Sequence, residues 1–89
     1  MAWKVELSTL ALKNLDQLDP QISRRILSFL QERVIQLDDV RSIGEALKGS
    51  RLGELWKYRV GDYRVIAKIE DEAVKILVIK IGDRKEVYR

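Results

Sequence analysis

The chain has 89 residues, 46% of them hydrophobic and 35% charged, a balance typical of one folded domain with a modest core. It contains no Cys and no His, so disulfides, thiolate nucleophiles and Cys- or His-bound metal sites are excluded, and we expect no metal or cofactor. Its net charge of +3 arises from residues 56–89, which carry nine Lys or Arg against six Asp or Glu, while residues 1–55 carry eight of each class.

The N-terminal residues predict a strand followed by a helix. Charges recur every few residues, so this segment is neither a secretory signal nor a membrane-spanning helix, and we expect a cytoplasmic protein without membrane contact. Apolar and charged residues alternate weakly from Trp3 to Leu7, which predicts a short strand. Ser8 or Thr9 then caps a helix that extends through Leu18.

A second helix is predicted to begin at the pair Asp19 and Pro20. Asp is a strong N-cap residue, and Pro at the first helical position occupies a site where no backbone donor is needed. Apolar residues then recur every three or four positions over about five turns and form one stripe: Ile22, Ile26, Phe29, Leu30, Val34 and Leu37. We expect this stripe to cover a sheet, with a partner-binding helix as the alternative.

The second half of the chain predicts mainly strands. Asp38 to Leu52 is a connector with a short helical piece that ends near Leu47, with Gly49 as its left-handed C-cap. Three further segments are rich in β-branched or alternating residues: Leu55 to Val60, Tyr63 to Ile69 and Val74 to Ile81. The predicted fold class is therefore α+β, with an N-terminal strand and two helices packed on one face of an antiparallel sheet of about four strands.

The dipeptide Gly61-Asp62 predicts a two-residue hairpin turn, because Gly supplies the positive φ that a type II′ turn requires. This turn sets the register of the two strands and sorts their side chains by face. The face turned towards the helices carries Trp56, Tyr58, Val60, Tyr63, Val65 and Ala67. The opposite face carries Lys57, Arg59, Arg64 and Lys68. A second turn at Asp71-Glu72 adds Val74, Ile76 and Val78 to the first face.

Two arginines, Arg59 and Arg64, lie opposite each other in this register. Like charges directly across a sheet are destabilising by up to about 1 kcal/mol unless an anion lies between them. Lys57 follows one step along the same face. A solvated sheet face is the alternative, but the arrangement favours a phosphate-binding site and a chemistry built from Arg, Lys, Tyr and carboxylates.

Apolar residues share the face that carries the cations: Ile66, Leu77 and Ile79. Two explanations are open. Either the tail or the connector of the chain covers them, or they belong to a surface that a protein partner binds, thereby masking the cations.

Three motifs, LKG, LWKYRVGDYRVIAKI and IGDRKEVYR, occur in this order within residues 47–89. With the chain length they resemble the RelE branch of the RelE/ParE toxin superfamily, and the similarity covers nearly the whole chain. The resemblance implies one RelE-like toxin domain over residues 1–89, in a type II toxin-antitoxin system. It also implies a ribosome-dependent endoribonuclease, an mRNA interferase that cuts mRNA in the A site of the 30S subunit through attack of the ribose 2′-hydroxyl on the phosphodiester, inhibiting translation. The implied protein partner is a small cognate antitoxin, expected to bind through an amphipathic helix.

The resemblance further implies the site residues. The positions that match the family's catalytic residues are Lys57, Arg59, Arg64, Arg84 and Tyr88. The residues expected to bind RNA are Lys57, Arg59, Arg64, Lys68 and Lys85. Asp83 departs from the family, in which many members carry His or Lys at this position, so a different rate or cleavage preference is expected.

In-line cleavage of RNA needs a base for the 2′-hydroxyl, an acid for the leaving 5′-oxygen and donors aimed at the phosphoryl oxygens. Crowding by neighbouring cations favours Lys57 as the base, while Arg59 and Arg64 hold the phosphate. Arg84 stabilises the leaving oxygen, and Tyr88 stacks on a nucleobase or orients the hydroxyl.

Three other functions are alternatives to the nuclease. A ParE-like toxin that inhibits DNA gyrase shares the fold but not the nuclease residues. A non-catalytic RNA- or ribosome-binding module needs the cationic face but neither Arg84 nor Tyr88. A degenerate toxin retained as an interaction partner is the third.

Overall fold

The computed structural model describes residues 3–36, 40–46 and 55–83. The elements follow in the order β1 (Lys4–Leu7), α1 (Thr9–Gln17), α2 (Pro20–Ser28), β2 (Glu45–Ala46), β3 (Leu55–Val60), β4 (Tyr63–Glu70) and β5 (Lys75–Asp83). The predicted cap at Gly49 and the predicted site residues Arg84, Lys85 and Tyr88 lie outside the described residues.

Both helices begin where the sequence predicts. The Ser8 hydroxyl accepts a hydrogen bond from the Ala11 N–H at 3.0 Å and caps α1. The Asp19 carboxylate accepts from the Gln21 N–H at 2.9 Å, and Pro20 occupies the first turn of α2. These side chains satisfy backbone donors that have no partner within their own helix.

The helical segment that starts at Pro20 continues past α2 through a π-helical turn (Phe29–Arg33) and a 3-10 turn (Val34–Gln36). The widened turn is visible in its hydrogen bonds, because the Val34 N–H points at the carbonyls of both Leu30 and Phe29. The predicted apolar stripe is confirmed as core along its described length. Ile26, Leu30 and Val34 are buried and Ile22 and Phe29 pack against them, while Leu37 lies outside the described residues.

The sheet has five strands in the order β1-β5-β4-β3-β2. The predicted α+β fold class and the antiparallel run from β3 to β5 are confirmed, but the sheet is mixed and has five strands rather than about four. β1 pairs with β5 in parallel. A parallel pair needs a long connection between its strands, and here that connection includes both helices. The fifth strand, β2, replaces the helical piece predicted before Leu47; two residues are too few to show an alternating pattern.

The hairpin between β3 and β4 has the predicted register, with Arg59 opposite Arg64, and Gly61 has φ of 61°. The next turn differs from the prediction. β4 ends at Glu70, which pairs with Lys75, so four residues (71–74) form the turn in place of a two-residue turn at Asp71-Glu72. Val74 lies in this turn with φ of 49° and therefore does not extend the strand face.

A β-bulge interrupts the pairing of β4 with β5. Ala67 pairs with Val78, but the preceding residue Ile66 pairs with Lys80, so Ile79 is an additional residue on β5. A regular strand would place Lys80 on the same face as Val78, towards the helices. The bulge shifts Lys80 to the face of Ile66 and the cations.

The core lies between the helices and one face of the sheet, as predicted. Its helical members are Ala11, Leu15, Ile26, Leu30 and Val34, and its strand members are Tyr58, Val60, Val65, Ala67, Ile69, Ile76, Val78 and Ile81. Alternate strand residues are therefore turned away from the core and form the second face. Within the described residues, no helix is long and apolar enough to span a membrane.

Candidate phosphate-binding site

The face of the sheet that is turned away from the helices is called the outer face. A small pocket of about 90 Å³ lies beside this face at the hairpin. It is lined by Ile43, Glu45, Lys57, Arg59 and Arg64. The structure thus brings together three of the predicted site residues and adds a carboxylate and an apolar side chain from the loop that precedes β3.

Arg64 is the only polar or charged residue that is buried among the described residues, with 8% of its surface exposed. Its Nη1 donates to the Tyr63 carbonyl oxygen at 3.2 Å, and Arg59 Nε donates to the Gly61 carbonyl oxygen at 3.4 Å. Neither guanidinium forms a salt bridge with a carboxylate of the described residues. Because guanidinium stays charged and burying an unpaired charge is unfavourable, an anion in the pocket would stabilise the buried Arg64.

Lys57 forms an ion pair with Glu45, with Nζ and Oε2 3.3 Å apart. The side chains are 27% and 75% exposed, so the pair contributes little to stability. Sequence reasoning missed Glu45, because it lies in a two-residue strand and its pairing with Lys57 joins residues far apart in sequence.

Gly44 allows the loop to approach β3 closely enough to bring Glu45 to the pocket. A Cβ atom at this position would lie 3.0 Å from Cε1 of Tyr58 and 3.2 Å from the Lys57 carbonyl oxygen. The Tyr58 hydroxyl donates to the Val40 carbonyl oxygen at 2.6 Å and fixes the start of the same loop. A side chain at residue 44 would therefore require Tyr58 or the β3 backbone to shift by a few tenths of an ångström.

A second contact ties this loop to the turn between β4 and β5. Arg41 donates from Nη1 and Nη2 to the two carboxylate oxygens of Asp71 at 2.9 and 2.8 Å, a bidentate geometry. The Arg41 hydrogen bonds lower the pKa of Asp71 below its ordinary value. The guanidinium also lies 5.5 Å from the ring centroid of Trp56, so the loop is held on both sides.

Two further cations lie on the outer face without lining the pocket. Lys68 is exposed, as predicted, and the bulge places Lys80 opposite Ile66 on this face. Ile66 and Leu77 share the face as predicted, whereas Ile79 lies in the bulge. Among the described residues, no group of three or more carboxylates is arranged to hold a metal ion.

α1 and its cap residue Ser8 anchor the C-terminal part of β5. The Ser8 hydroxyl donates to the Ile79 carbonyl oxygen at 2.7 Å, and the Asn14 side-chain oxygen accepts from the Ile81 N–H at 2.9 Å. These bonds satisfy backbone groups on the side of β5 that faces β1, at positions that lie beyond the end of β1. Sequence reasoning found Ser8 only as a helix cap and missed Asn14.

The sequence model of the ParE toxin family, described as the ParE toxin of the type II toxin-antitoxin system parDE, matches residues 5–88. The chain belongs to this toxin family. The predicted membership of the RelE/ParE superfamily is thereby confirmed.

Relatives of this toxin bear RelE-type names. Toxin RelG of Mycobacterium tuberculosis is 25% identical over 89 residues, which cover 100% of this chain and 99% of the relative. A chain in the RelBE2 toxin-antitoxin complex of M. tuberculosis superimposes with a TM-score of 0.83 at 22% identity, covering 97% and 95% of the two chains. A chain in the archaeal RelE-RelB complex of Pyrococcus horikoshii gives 0.75 at 27% identity, covering 97% and 99%.

Proposed function

We propose that this toxin is an endoribonuclease that cleaves mRNA in the ribosomal A site. The observation that carries the proposal is the Arg59–Arg64 pair, two arginines at directly opposite strand positions, one of them buried and neither forming a salt bridge with a described carboxylate. A phosphodiester of RNA supplies the missing negative charge.

The proposed reaction is an in-line transesterification. A base removes the proton of the 2′-hydroxyl, O2′ forms a bond to phosphorus, and the bond from phosphorus to O5′ breaks. The products are a 2′,3′-cyclic phosphate and a 5′-hydroxyl that takes up a proton. Arg59 and Arg64 bind the non-bridging oxygens, where negative charge develops in the transition state. Arg84 at the leaving oxygen and Tyr88 against the nucleotide stay predictions from the family resemblance, as does RNA binding by Lys68 and Lys85.

Two residues are candidates for the base. Lys57 is implied by the family resemblance, but it forms an ion pair with Glu45, and an ammonium group has donors and no acceptor. Glu45 lines the same pocket, and the oxygen atoms of a carboxylate are proton acceptors. We therefore assign the base to Glu45 and charge stabilisation to Lys57.

The pH dependence of cleavage separates these roles. If Glu45 is the base, Glu45→Gln lowers the single-turnover rate by about 100- to 10,000-fold and removes the acidic limb of the pH-rate profile. Lys57→Met then slows the reaction but keeps that limb. The reverse pattern, with the limb lost only in Lys57→Met, would return the role of base to Lys57.

Cleavage on programmed ribosomes tests the proposed activity. Purified toxin is added to ribosomes that hold tRNA in the P site and an open codon in the A site. We expect one cut in the A-site codon, with a 2′,3′-cyclic phosphate on the upstream fragment, and much slower cleavage of the same RNA when free, because the ribosome aligns the reacting atoms. Intact mRNA after prolonged incubation would refute the proposal.

Inhibition of DNA gyrase is the second candidate function, because the matching family description is that of a ParE toxin. The Arg59–Arg64 pair supports inhibition of gyrase less directly than it supports cleavage of mRNA. A DNA supercoiling assay with purified gyrase distinguishes the two candidates. Loss of supercoiling together with intact A-site mRNA would establish the second candidate in place of the nuclease.

We also propose that a cognate antitoxin binds this toxin and inhibits it, since the similar RelE chains of P. horikoshii were solved in complex with RelB. The outer face offers cations beside partly exposed Leu77, which suits an amphipathic helix with acidic residues. Co-expression with the product of the adjacent small reading frame tests this, and Leu77→Asp should weaken copurification. An antitoxin that leaves Leu77 and the pocket solvent-exposed in the complex would exclude direct masking.

A further inference from the structure

A second cationic site lies on the other side of the hairpin turn, between the turn and the helical segment. This groove has a volume of about 350 Å³. It is lined by Arg25, Ser28, Phe29, Glu32, Arg33, Arg59, Val60 and Gly61. Three guanidinium groups therefore face one carboxylate, and the groove has an excess of positive charge.

The arginines of the groove form no salt bridges with carboxylates of the described residues. Arg25 and Arg33 are exposed, and no carboxylate of the described residues, Glu32 included, forms a salt bridge with either of them. The Cζ of Arg33 lies 6.0 Å from the ring centroid of Phe29, a contact that orients the guanidinium without neutralising it. Uncompensated cations held in one concavity attract an anion.

The π-helical turn aligns Arg33 with Arg25. These residues are eight positions apart, and in a regular α-helix their side chains point about 80° apart around the axis. The π turn from Phe29 to Arg33 is wider, so each of its residues advances less around the axis and the offset shrinks. Such turns occur frequently at functional sites, and here the turn forms part of the groove wall.

The groove adjoins the pocket at Arg59, and Gly61 belongs to the lining of the groove. Arg59 lines both cavities and donates to the Gly61 carbonyl oxygen. On the other side of the same glycine, Nη1 of Arg25 lies 3.3 Å from the position that a Cβ atom would occupy. Guanidinium groups thus follow one another from the pocket over the hairpin turn into the groove.

We propose that the groove binds a backbone phosphate of the mRNA strand that is cut in the pocket, downstream of the scissile phosphate. The inference rests on the proposed nuclease function. Continuity of the cations favours one strand that passes through both cavities. The downstream direction follows because the P-site tRNA occupies the upstream codon, whereas the downstream nucleotides carry no tRNA.

Programmed ribosomes with two mRNAs test the proposal. One mRNA ends at the third nucleotide of the A-site codon, and the other continues for a further ten or so nucleotides. The variants are the double substitution Arg25→Ala/Arg33→Ala and, as a matched control, Arg24→Ala, which removes an exposed arginine of α2 that does not line the groove. The ratio of rate constant to half-saturating toxin concentration is measured for each under single-turnover conditions.

We expect the double variant to lose about tenfold or more in this ratio on the extended mRNA, as charge-assisted hydrogen bonds to phosphate are removed. On the truncated mRNA it should match the parent, and Arg24→Ala should match the parent on both. The loss should shrink as the salt concentration rises. Thermal melting of all variants checks that each is folded.

Three results would overturn the proposal. Equal losses on both mRNAs would assign the groove to ribosomal RNA, and no loss on either would show that the groove binds no phosphate; in both cases parent cleavage still supports the nuclease. A parent that cleaves neither mRNA would refute the proposed function, and the groove assignment with it.

Discussion

Two cross-strand pairs at opposite ends of β4 use charge in contrasting ways. Near its start, Arg64 lies opposite Arg59, and at its end Glu70 lies opposite Lys75. Lys75 Nζ is 3.1 Å from the Glu70 carboxylate and 3.3 Å from that of Glu6, and these hydrogen bonds raise its pKa above the ordinary value. The second pair is compensated within the fold, whereas the first lacks a negative partner among the described residues.

The difference shows why net charge is a poor guide to function. Lys75 contributes to the positive excess of residues 56–89 as much as Arg64 does, yet it joins three strands through two carboxylates. Arg59 and Arg64, which form no salt bridge with a described carboxylate, are more available for a ligand than Lys75.

Removing Arg64 should have the largest effect on cleavage. We expect Arg64→Ala to lower the single-turnover rate on programmed ribosomes by about 100- to 1,000-fold, because a buried donor to the transition state is lost. Lys75→Ala should cleave at the parent rate, since its partners lie within the fold. Circular dichroism establishes that both are folded. Comparable losses in both variants would contradict the division between ligand-binding and structural cations.

Filling the space at Gly44 should disturb the pocket through its loop. We expect Gly44→Val to lower the free energy of unfolding by about 1–3 kcal/mol, because its side chain overlaps the Tyr58 ring. Cleavage should also fall, since Glu45 is displaced from Lys57. Ala46→Val, at an exposed strand position, is the matched control and should leave both quantities near the parent values. Urea denaturation measures the first quantity; an unchanged unfolding midpoint would show that the loop accommodates a side chain.

Removing the charge repulsion between Arg59 and Arg64 should stabilise the fold while reducing mRNA cleavage. We expect Arg59→Gln to raise the free energy of unfolding by a few tenths to about 1 kcal/mol, because like charges no longer face each other. Glu70→Gln, at the compensated end of β4, should lower it. Low-salt urea denaturation makes the comparison, since screening diminishes both effects. A decrease in stability for Arg59→Gln would indicate that the arginines already have a compensating partner.

The smallest effect concerns stability at acid pH. The pKa of Asp71 is lowered from its ordinary value of 3.8 by hydrogen bonds from Arg41. The folded state therefore gains stability from this group above pH 3.8, and the gain is lost as the pH falls through the lower folded-state pKa. We expect Asp71→Asn to reduce the slope of melting temperature against pH over this acidic range only. An unchanged slope would show that the Arg41–Asp71 contact does not persist in solution.

Local sequence determined the arginine pair. A Gly with positive φ at residue 61 fixes the hairpin turn, and the two-residue period of a strand then places Arg59 opposite Arg64 without any contribution from the rest of the chain. Helix caps at Ser8 and Asp19 were predictable for the same reason, because each satisfies backbone donors only two or three residues away. The family motifs then connected these residues to a toxin superfamily.

Tertiary structure alone decided what surrounds the pair. Glu45 reaches Lys57 because Gly44 packs on Tyr58. Lys80 lies on the outer face because of the bulge in β5. The groove forms where the π-helical turn meets the hairpin turn. Each depends on contacts between residues far apart in sequence, and a one-residue change of register reverses the face on which a side chain lies. The local pattern of apolar and polar residues does not predict such contacts, because the partner with which a segment pairs determines which side chains lie beside it.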